Sequence, residues 1–228
     1  MNIAVIPARL GSKRIPKKNI KQFCGKPMVA YSIEAAKNSG IFEDIIVSTD
    51  SPEIANIAKD YGASVPFIRP KELSDDFSTT DDVMAHATKW LEDNVGQLSA
   101  VCCIYATAPF IQKDDLLNAY KKFKTNKWSY VFSATTFPFP IQRAIKRVDG
   151  GGIEMFYPKH YETRSQDLVE AFHDAGQFYI GKPEAWINKE KQFSISSEMV
   201  ILPRWRVQDI DIAEDWKNAE VIMKNLIK

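Results

Sequence analysis

Cysteine is scarce in this chain. Cys24, Cys102 and Cys103 are its three examples in 228 residues, and the last two are adjacent inside an apolar run. That spacing builds neither a disulfide framework nor a thiolate metal site, so buried thiols in a reducing compartment are expected. Histidine is equally rare. His86 falls on a predicted helix, His160 in a loop, and His173 just before Asp174. No Ser-His-Asp constellation emerges, so all three read as structural, with His173 the one worth testing. Net charge is nearly absent: 30 Lys and Arg against 29 Asp and Glu leave +1, which argues against broad nucleic-acid binding. No apolar run approaches a membrane span, and no charged segment followed by a long apolar core opens the sequence. Internal repeats and low-complexity linkers are missing too. The expectation is a cytoplasmic globular protein with 1–228 as a single domain, and neither nucleic acid nor membrane as a partner.

What the chain does have is one concentration of positive charge. The apolar run Ile3 to Ile6 reads as a buried parallel strand, and the loop behind it, to Asn19, carries Arg9, Lys13, Arg14, Lys17 and Lys18 with no acidic residue. Five crowded cations repel one another unless something anionic sits among them. Gly11 and Ser12 let backbone approach such a guest, and Pro7 and Pro16 fence the loop. A phosphate chain is the natural candidate. Two familiar phosphate-binding motifs are excluded: Gly11-Ser-Lys lacks the upstream glycine of a P-loop, and no G-x-G-x-x-G follows the first strand.

Further along, Met28 to Lys37 has helical spacing behind Pro27, with Gly40 as its stop. Ile45 to Asp50 reads as a second strand, Ser51-Pro52-Glu53 opens a helix to Tyr61, and Val65 to Ile68 reads as a third strand. A helix begins at Ser78 to Asp82, Ala100 to Tyr105 is the expected central strand, and Thr107-Ala-Pro109 is a small-residue loop before the next helix. Tyr130 to Thr135, Phe178 to Ile180 and Met199 to Leu202 complete the strands. Alternation of this kind predicts an open α/β sheet. It is interrupted from Phe137, where aromatics and prolines lead into Asp149-Gly-Gly-Gly152 between two short apolar runs. That is a hairpin signal, and its exposed aromatics point to a partner subunit.

In open α/β sheets ligands bind beyond the carboxyl ends of strands. Asp209 and Asp211 flank Ile210 near such an end, and in an extended segment both point to one side. Two readings stand. The pair holds a magnesium ion shared with phosphate oxygens, or Asp211 caps the last helix and Asp209 is solvated.

The stretch Pro7-Ala-Arg-Leu-Gly-Ser-Lys-Arg-Ile-Pro-Lys-Lys-Asn19 closely resembles the signature of the CMP-sialic acid synthetases, the acylneuraminate cytidylyltransferases. The likeness continues through Gly25-Lys-Pro27, Val47 to Ser51, Arg69-Pro-Lys-Glu-Leu73 and Asp209 to Trp216. It implies a Rossmann-like, mostly parallel sheet of the nucleotide-diphospho-sugar transferase type, with an inserted β-hairpin dimerisation extension at about 137–172 and a homodimer. It implies transfer of CMP from CTP to a nine-carbon 2-keto sugar acid with Mg2+ as cofactor. Arg9, Gly11, Ser12, Lys13, Asn19, Arg69, Ser78 and Thr79 would bind the nucleotide, with Arg9, Lys13 and Asp211 catalytic. Asp209 and Asp211 would hold the metal.

The sequence departs from that family where Tyr105-Ala-Thr-Ala-Pro109 replaces the usual Gln-Pro-Thr-Ser-Pro. Phe137 to Ala144 and His173 to Tyr179 resemble the branch that activates pseudaminic acid, a sugar of bacterial glycans including those of flagellin. Tyr105, Gln142, Arg143, His173 and Gln177 are the candidate sugar contacts, and each has an alternative use at a dimer interface. N-acetylneuraminate and legionaminate remain alternative acceptors. A nucleotide-sugar glycosyltransferase is a rival, although its acidic pair usually lies mid-chain. A non-catalytic nucleotide sensor is the other.

Overall fold

A computed structural model of the protein describes residues 1–226. The chain runs β1 (Asn2–Pro7), β2 (Gln22–Phe23), β3 (Lys26–Pro27), α1 (Met28–Ser39), β4 (Asp44–Ser48), α2 (Pro52–Asp60), α3 (Thr80–Asn94), β5 (Ala100–Ile104) and α4 (Lys113–Phe123). It continues with β6 (Tyr130–Thr136), β7 (Ile145–Arg147), β8 (Ile153–Met155), β9 (Phe172–Gly181), α5 (Pro183–Ile187), β10 (Ser197–Ile201) and α6 (Ala213–Leu226).

Six strands form one sheet in the order β10-β6-β9-β5-β1-β4. β1 pairs in parallel with both β4 and β5, and β10 with β6, while β9 alone runs antiparallel to its neighbours. From β1 the chain first crosses to β4 on one side and later returns to β5 on the other. Their carboxyl ends therefore diverge into the crevice where open sheets take ligands.

Strand alternation sorts the core into two layers. Ala4 and Ile6 of β1 face a cluster with Val29, Ile33, Ile54, Leu116 and Phe123, whereas Ile3 and Val5 face Met84, Leu91 and Trp186 on the opposite side. Trp186 comes so close that a Cβ on Gly181 would lie 2.5 Å from its Nε1 and 2.6 Å from Tyr130. α6 closes a third cluster through Trp216, Ala219 and Met223 against Phe23 and Met28.

One expected strand is not formed. Val65 to Ile68 contributes no ladder, and an isolated bridge between Ile46 and Ser64 stands in its place. Pro66 supplies no N–H there, and Phe67 packs on Trp90 and His86 instead. β9 is irregular too: its register against β6 shifts between Phe132 and Ala134. Gly176, at φ 61°, makes the turn this bulge needs and donates its N–H to Asp174 Oδ1 at 2.8 Å. Ser133 Oγ accepts from the amides of Gln177 and Phe178 across the gap. The bulge carries Asp174 past the end of β5.

The segment 137–171 is built of short pieces beside the sheet. β7 and β8 form the expected two-stranded hairpin, tied by the Lys146–Glu154 ion pair at 2.7 Å. Phe139, Ile145, Ile153, Phe156, Tyr161 and Val169 are all exposed there.

Candidate active site

The ends of β1 and β5, the loop before α3 and the N-terminus of α3 line a cavity of about 510 Å³. The basic loop supplies Arg9, Ser12, Lys13, Arg14, Lys18 and Asn19; the other wall supplies Arg69, Ser78, Thr79, Thr80, Tyr105 and Thr107, with Asp75, Asp76 and Asp211. The structure thus gathers Arg9, Ser12, Lys13, Asn19, Arg69, Ser78, Thr79, Tyr105 and Asp211 around one space. Gly11 lies in the loop but does not line the cavity.

The loop is held from beneath. Leu10 N–H donates to Asp50 Oδ1 at 3.2 Å, and the buried Asn19 amide donates to the Arg9 carbonyl at 2.9 Å. Its cations are not left to repel one another, because carboxylates distant in sequence meet all five. Arg9 and Lys13 share Asp76, Arg14 and Lys18 share Asp211, and Lys17 takes Glu53.

Arg69 is the exception. It is 4% exposed, yet its Nε and Nη2 have no hydrogen-bond partner among the described residues. Burial pushes its guanidinium below the usual value, with Asp50 opposing and Arg9 adding to the shift. Guanidinium cations are seldom buried unless paired. One that lines a cavity is a candidate partner for an anionic ligand.

α3 begins at the same cavity. Thr79 is its N-cap, in a reciprocal capping box with Asp82. Ser78 is tied to Asp75, with 2.7 Å between Ser78 Oγ and Asp75 Oδ1.

At the far wall, Asp215 Oδ2 accepts from the amides of Asp211 and Ile212, each at 2.9 Å. Asp215 thus ties down the amides just ahead of α6, while the Asp211 carboxylate lines the cavity and meets Arg14 and Lys18. Asp209 is exposed and off the cavity wall. Partial desolvation, then the Asp211 charge, push its carboxyl above the usual range. Hard oxygen donors and mutual repulsion fit a magnesium ion. Among the described residues no cluster of three or more ligating side chains forms, so an ion held here takes its remaining ligands from water or a bound phosphate.

A second cavity of about 250 Å³ shares Thr80 and Tyr105 with the first. Asp81, Asp174, Tyr179, Trp186, Gln192 and Phe193 complete it. Gln192 donates to Asp81 at 2.6 Å, and the Tyr179 hydroxyl donates to Asp174. Burial pushes the phenols of Tyr105 and Tyr179 up, keeping both protonated.

Four of the expected sugar contacts lie elsewhere in the single chain. Gln142 donates to the Val169 carbonyl and Arg143 to that of Thr163, so both brace the extension. His173 bonds the Asp174 carbonyl through Nδ1 and packs on Phe137. Gln177 is buried, with Nε2 on the Arg206 carbonyl. Side chains of β9 alternate around its bulge, which delivers Asp174 and Tyr179 to the second cavity rather than His173 and Gln177.

A family model described as cytidylyltransferase matches residues 3–145. The chain is 47% identical over 223 residues to a pseudaminic acid cytidylyltransferase of Campylobacter jejuni, covering 98% of this chain and 96% of that one. The chain belongs to the cytidylyltransferase family. A CMP-N,N'-diacetyllegionaminic acid synthase of Legionella pneumophila is 29% identical, over 97% of this chain and 96% of its own. An N-acylneuraminate cytidylyltransferase of Escherichia coli is 30% identical, over 97% of this chain and 52% of its own. A solved CMP:2-keto-3-deoxy-manno-octonic acid synthetase complexed with CTP shares the fold, with TM-score 0.71, 16% identity and 99% of both chains covered. In this cytidylyltransferase, sequence reasoning missed Asp75 and Asp76, and the only signal for them was an acidic pair in an unpatterned loop. It also missed Asp81 and Gln192, which meet only through the fold.

Proposed function

We propose that this nucleotidyltransferase transfers CMP from CTP to the anomeric 2-hydroxyl of pseudaminic acid, releasing pyrophosphate. The observation that carries the nucleotide half is Arg69, a buried guanidinium whose Nε and Nη2 have no partner among the described residues, beside a cavity also lined by Arg9, Lys13, Arg14 and Lys18. The hydroxyl oxygen bonds to the α-phosphorus as the bond to the bridging β-oxygen breaks, and the hydroxyl proton passes to a pocket carboxylate. Arg9 and Lys13 take the phosphates and neutralise charge gathering on the leaving pyrophosphate. Arg69, Ser78, Thr79 and Asn19 fix the nucleoside, and Ser12 lets backbone approach the phosphates. Positioning and fixed charge supply most of the rate in such transfers. A magnesium ion on Asp209 and Asp211 would polarise the α-phosphate when bound.

The second cavity suits the acceptor because it shares a wall with the nucleotide cavity. Its aromatic faces, Tyr105, Tyr179, Trp186 and Phe193, suit a sugar with a deoxy carbon and acetamido methyls, and the similarity to the Campylobacter jejuni enzyme supports that choice. The exposed apolar side chains of 137–171 support a homodimer joined through the extension, to which Gln142 and Arg143 belong. The test is pyrophosphate release from CTP with a panel of pseudaminic, legionaminic and N-acetylneuraminic acids. The highest kcat/KM is expected with pseudaminic acid. Preference for another acceptor overturns the sugar, and no release with any of them overturns the reaction.

A further inference from the structure

Asp76 stands where the triphosphate needs room. Its Oδ1 lies 3.0 Å from Arg9 Nη1, and its Oδ2 pairs with Lys13 Nζ. These are the two cations given above to phosphate oxygens. One carboxylate and one phosphate group cannot both occupy that bridge without placing like charges in contact.

The backbone around Asp76 is a closed turn that holds itself together. Asp75 Oδ1 accepts from the amides of Phe77 and Ser78 at 3.0 and 2.7 Å, and Ser78 Oγ reaches the Glu72 carbonyl at 2.9 Å. Asp75 thus spends its side chain on the turn, and Asp76 presents its own to the loop opposite. Phe77 beside it is 90% exposed, so no apolar packing anchors the tip of the turn. The Asp76 side chain is itself 39% exposed. The contact is therefore a surface ion pair, weak enough to be exchanged.

We propose that Asp76 is an exchangeable counter-ion of the triphosphate cradle. It holds Arg9 and Lys13 in place while the cradle is free, yields them to CTP, and competes with pyrophosphate for them after transfer. The inference rests on the reading of the larger cavity as the CTP site. The Asp76 contact takes a share of the ligand's attraction, and that share falls on product as well as substrate. Asp76 thereby shortens the residence of pyrophosphate at the expense of some affinity for CTP.

The experiment is calorimetric titration of CTP, and separately of inorganic pyrophosphate, with magnesium present. The proteins are the wild type, Asp76→Asn, Asp76→Ser, and Asp60→Asn as a charge-matched change on α2. Both Asp76 variants are expected to bind each ligand about three- to ten-fold more tightly, the range two exposed ion pairs account for. Asp60→Asn is expected to match the wild type. Inhibition of turnover by added pyrophosphate should strengthen in step. Unchanged or weaker binding in the two Asp76 variants overturns the proposal, because a residue that built the turn or assisted the ligand would weaken binding when removed. Equal tightening by Asp60→Asn also overturns it, since the effect would then be one of net charge. Failure of the wild type to bind CTP strikes the reading of the site itself, a different result from tight wild-type binding that Asp76→Asn leaves unimproved.

Discussion

Arg69 and Arg206 are buried to nearly the same degree, at 4% and 6% exposure, and their surroundings treat them oppositely. Arg206 forms a two-pronged ion pair with Asp115 at 2.7 and 2.9 Å and adds the Phe110 carbonyl at 3.2 Å. Asp115 in turn accepts from the Gln112 amide at the start of α4. Every charge there has a partner, and the region joins α4 to the chain before α6. Arg69 has two nitrogens with none among the described residues, at the wall of a cavity. A buried charge that is satisfied holds a fold together, and one left waiting states what the fold is for.

Arg69→Met breaks the comparison most sharply. It should lower kcat/KM by about 100- to 1,000-fold, the usual loss for a buried charged partner. The thermal midpoint should hold level or rise, because an uncompensated charge is removed. A large fall in midpoint with near-normal kinetics would make Arg69 a structural residue. The matching change, Arg206→Met, should do the reverse. It strands Asp115 and is expected to cost about 3–5 kcal/mol of stability, read by urea unfolding. Adding Asp115→Leu should restore most of that, short by about 1 kcal/mol for the lost helix cap.

Much of this contrast was hidden in the sequence. The strands were legible because β1, β4 and β5 are continuous apolar runs, the start of α2 at Ser51 was legible from local capping chemistry, and α3 was legible from its apolar face behind Ser78 to Asp82. The basic loop was legible as a concentration of positive charge behind β1. Its neutralisation was not, since the carboxylates that meet it come from Glu53, Asp76 and Asp211, the last 193 residues from Lys18. Val65 to Ile68 misled because its apolar content outweighed Pro66. The acceptor-side cavity was out of reach because a bulge, absent from any simple alternation, decides which side chains of β9 enter it.

Two smaller changes extend the comparison to the surface. Ile153→Asp, on the exposed hairpin, is expected to convert a dimer to monomers in sedimentation while leaving the unfolding midpoint of the sheet nearly unchanged. An unaltered mass would remove the extension as the interface. The least effect belongs to Asp82, whose carboxyl the Lys189 and Thr79 hydrogen bonds hold down to about 2. A folded value below the unfolded one, about 3.9, gives stability that is present above pH 4 and lost as pH falls towards 2. Asp82→Asn should flatten that part of the acid-unfolding curve, measured by urea midpoints between pH 2 and 6.

Cys102 and Cys103 lie side by side in β5 with no exposed surface, and burial pushes both thiols up. A reagent that reacts with thiolates can reach them only when the middle of the sheet parts, whereas Cys24, half-exposed at the turn between β2 and β3, is open to it at once. The protein therefore carries its own stopwatch. The slow phase of alkylation times the opening of the strand whose end forms the wall between the two cavities, without any probe having to be attached.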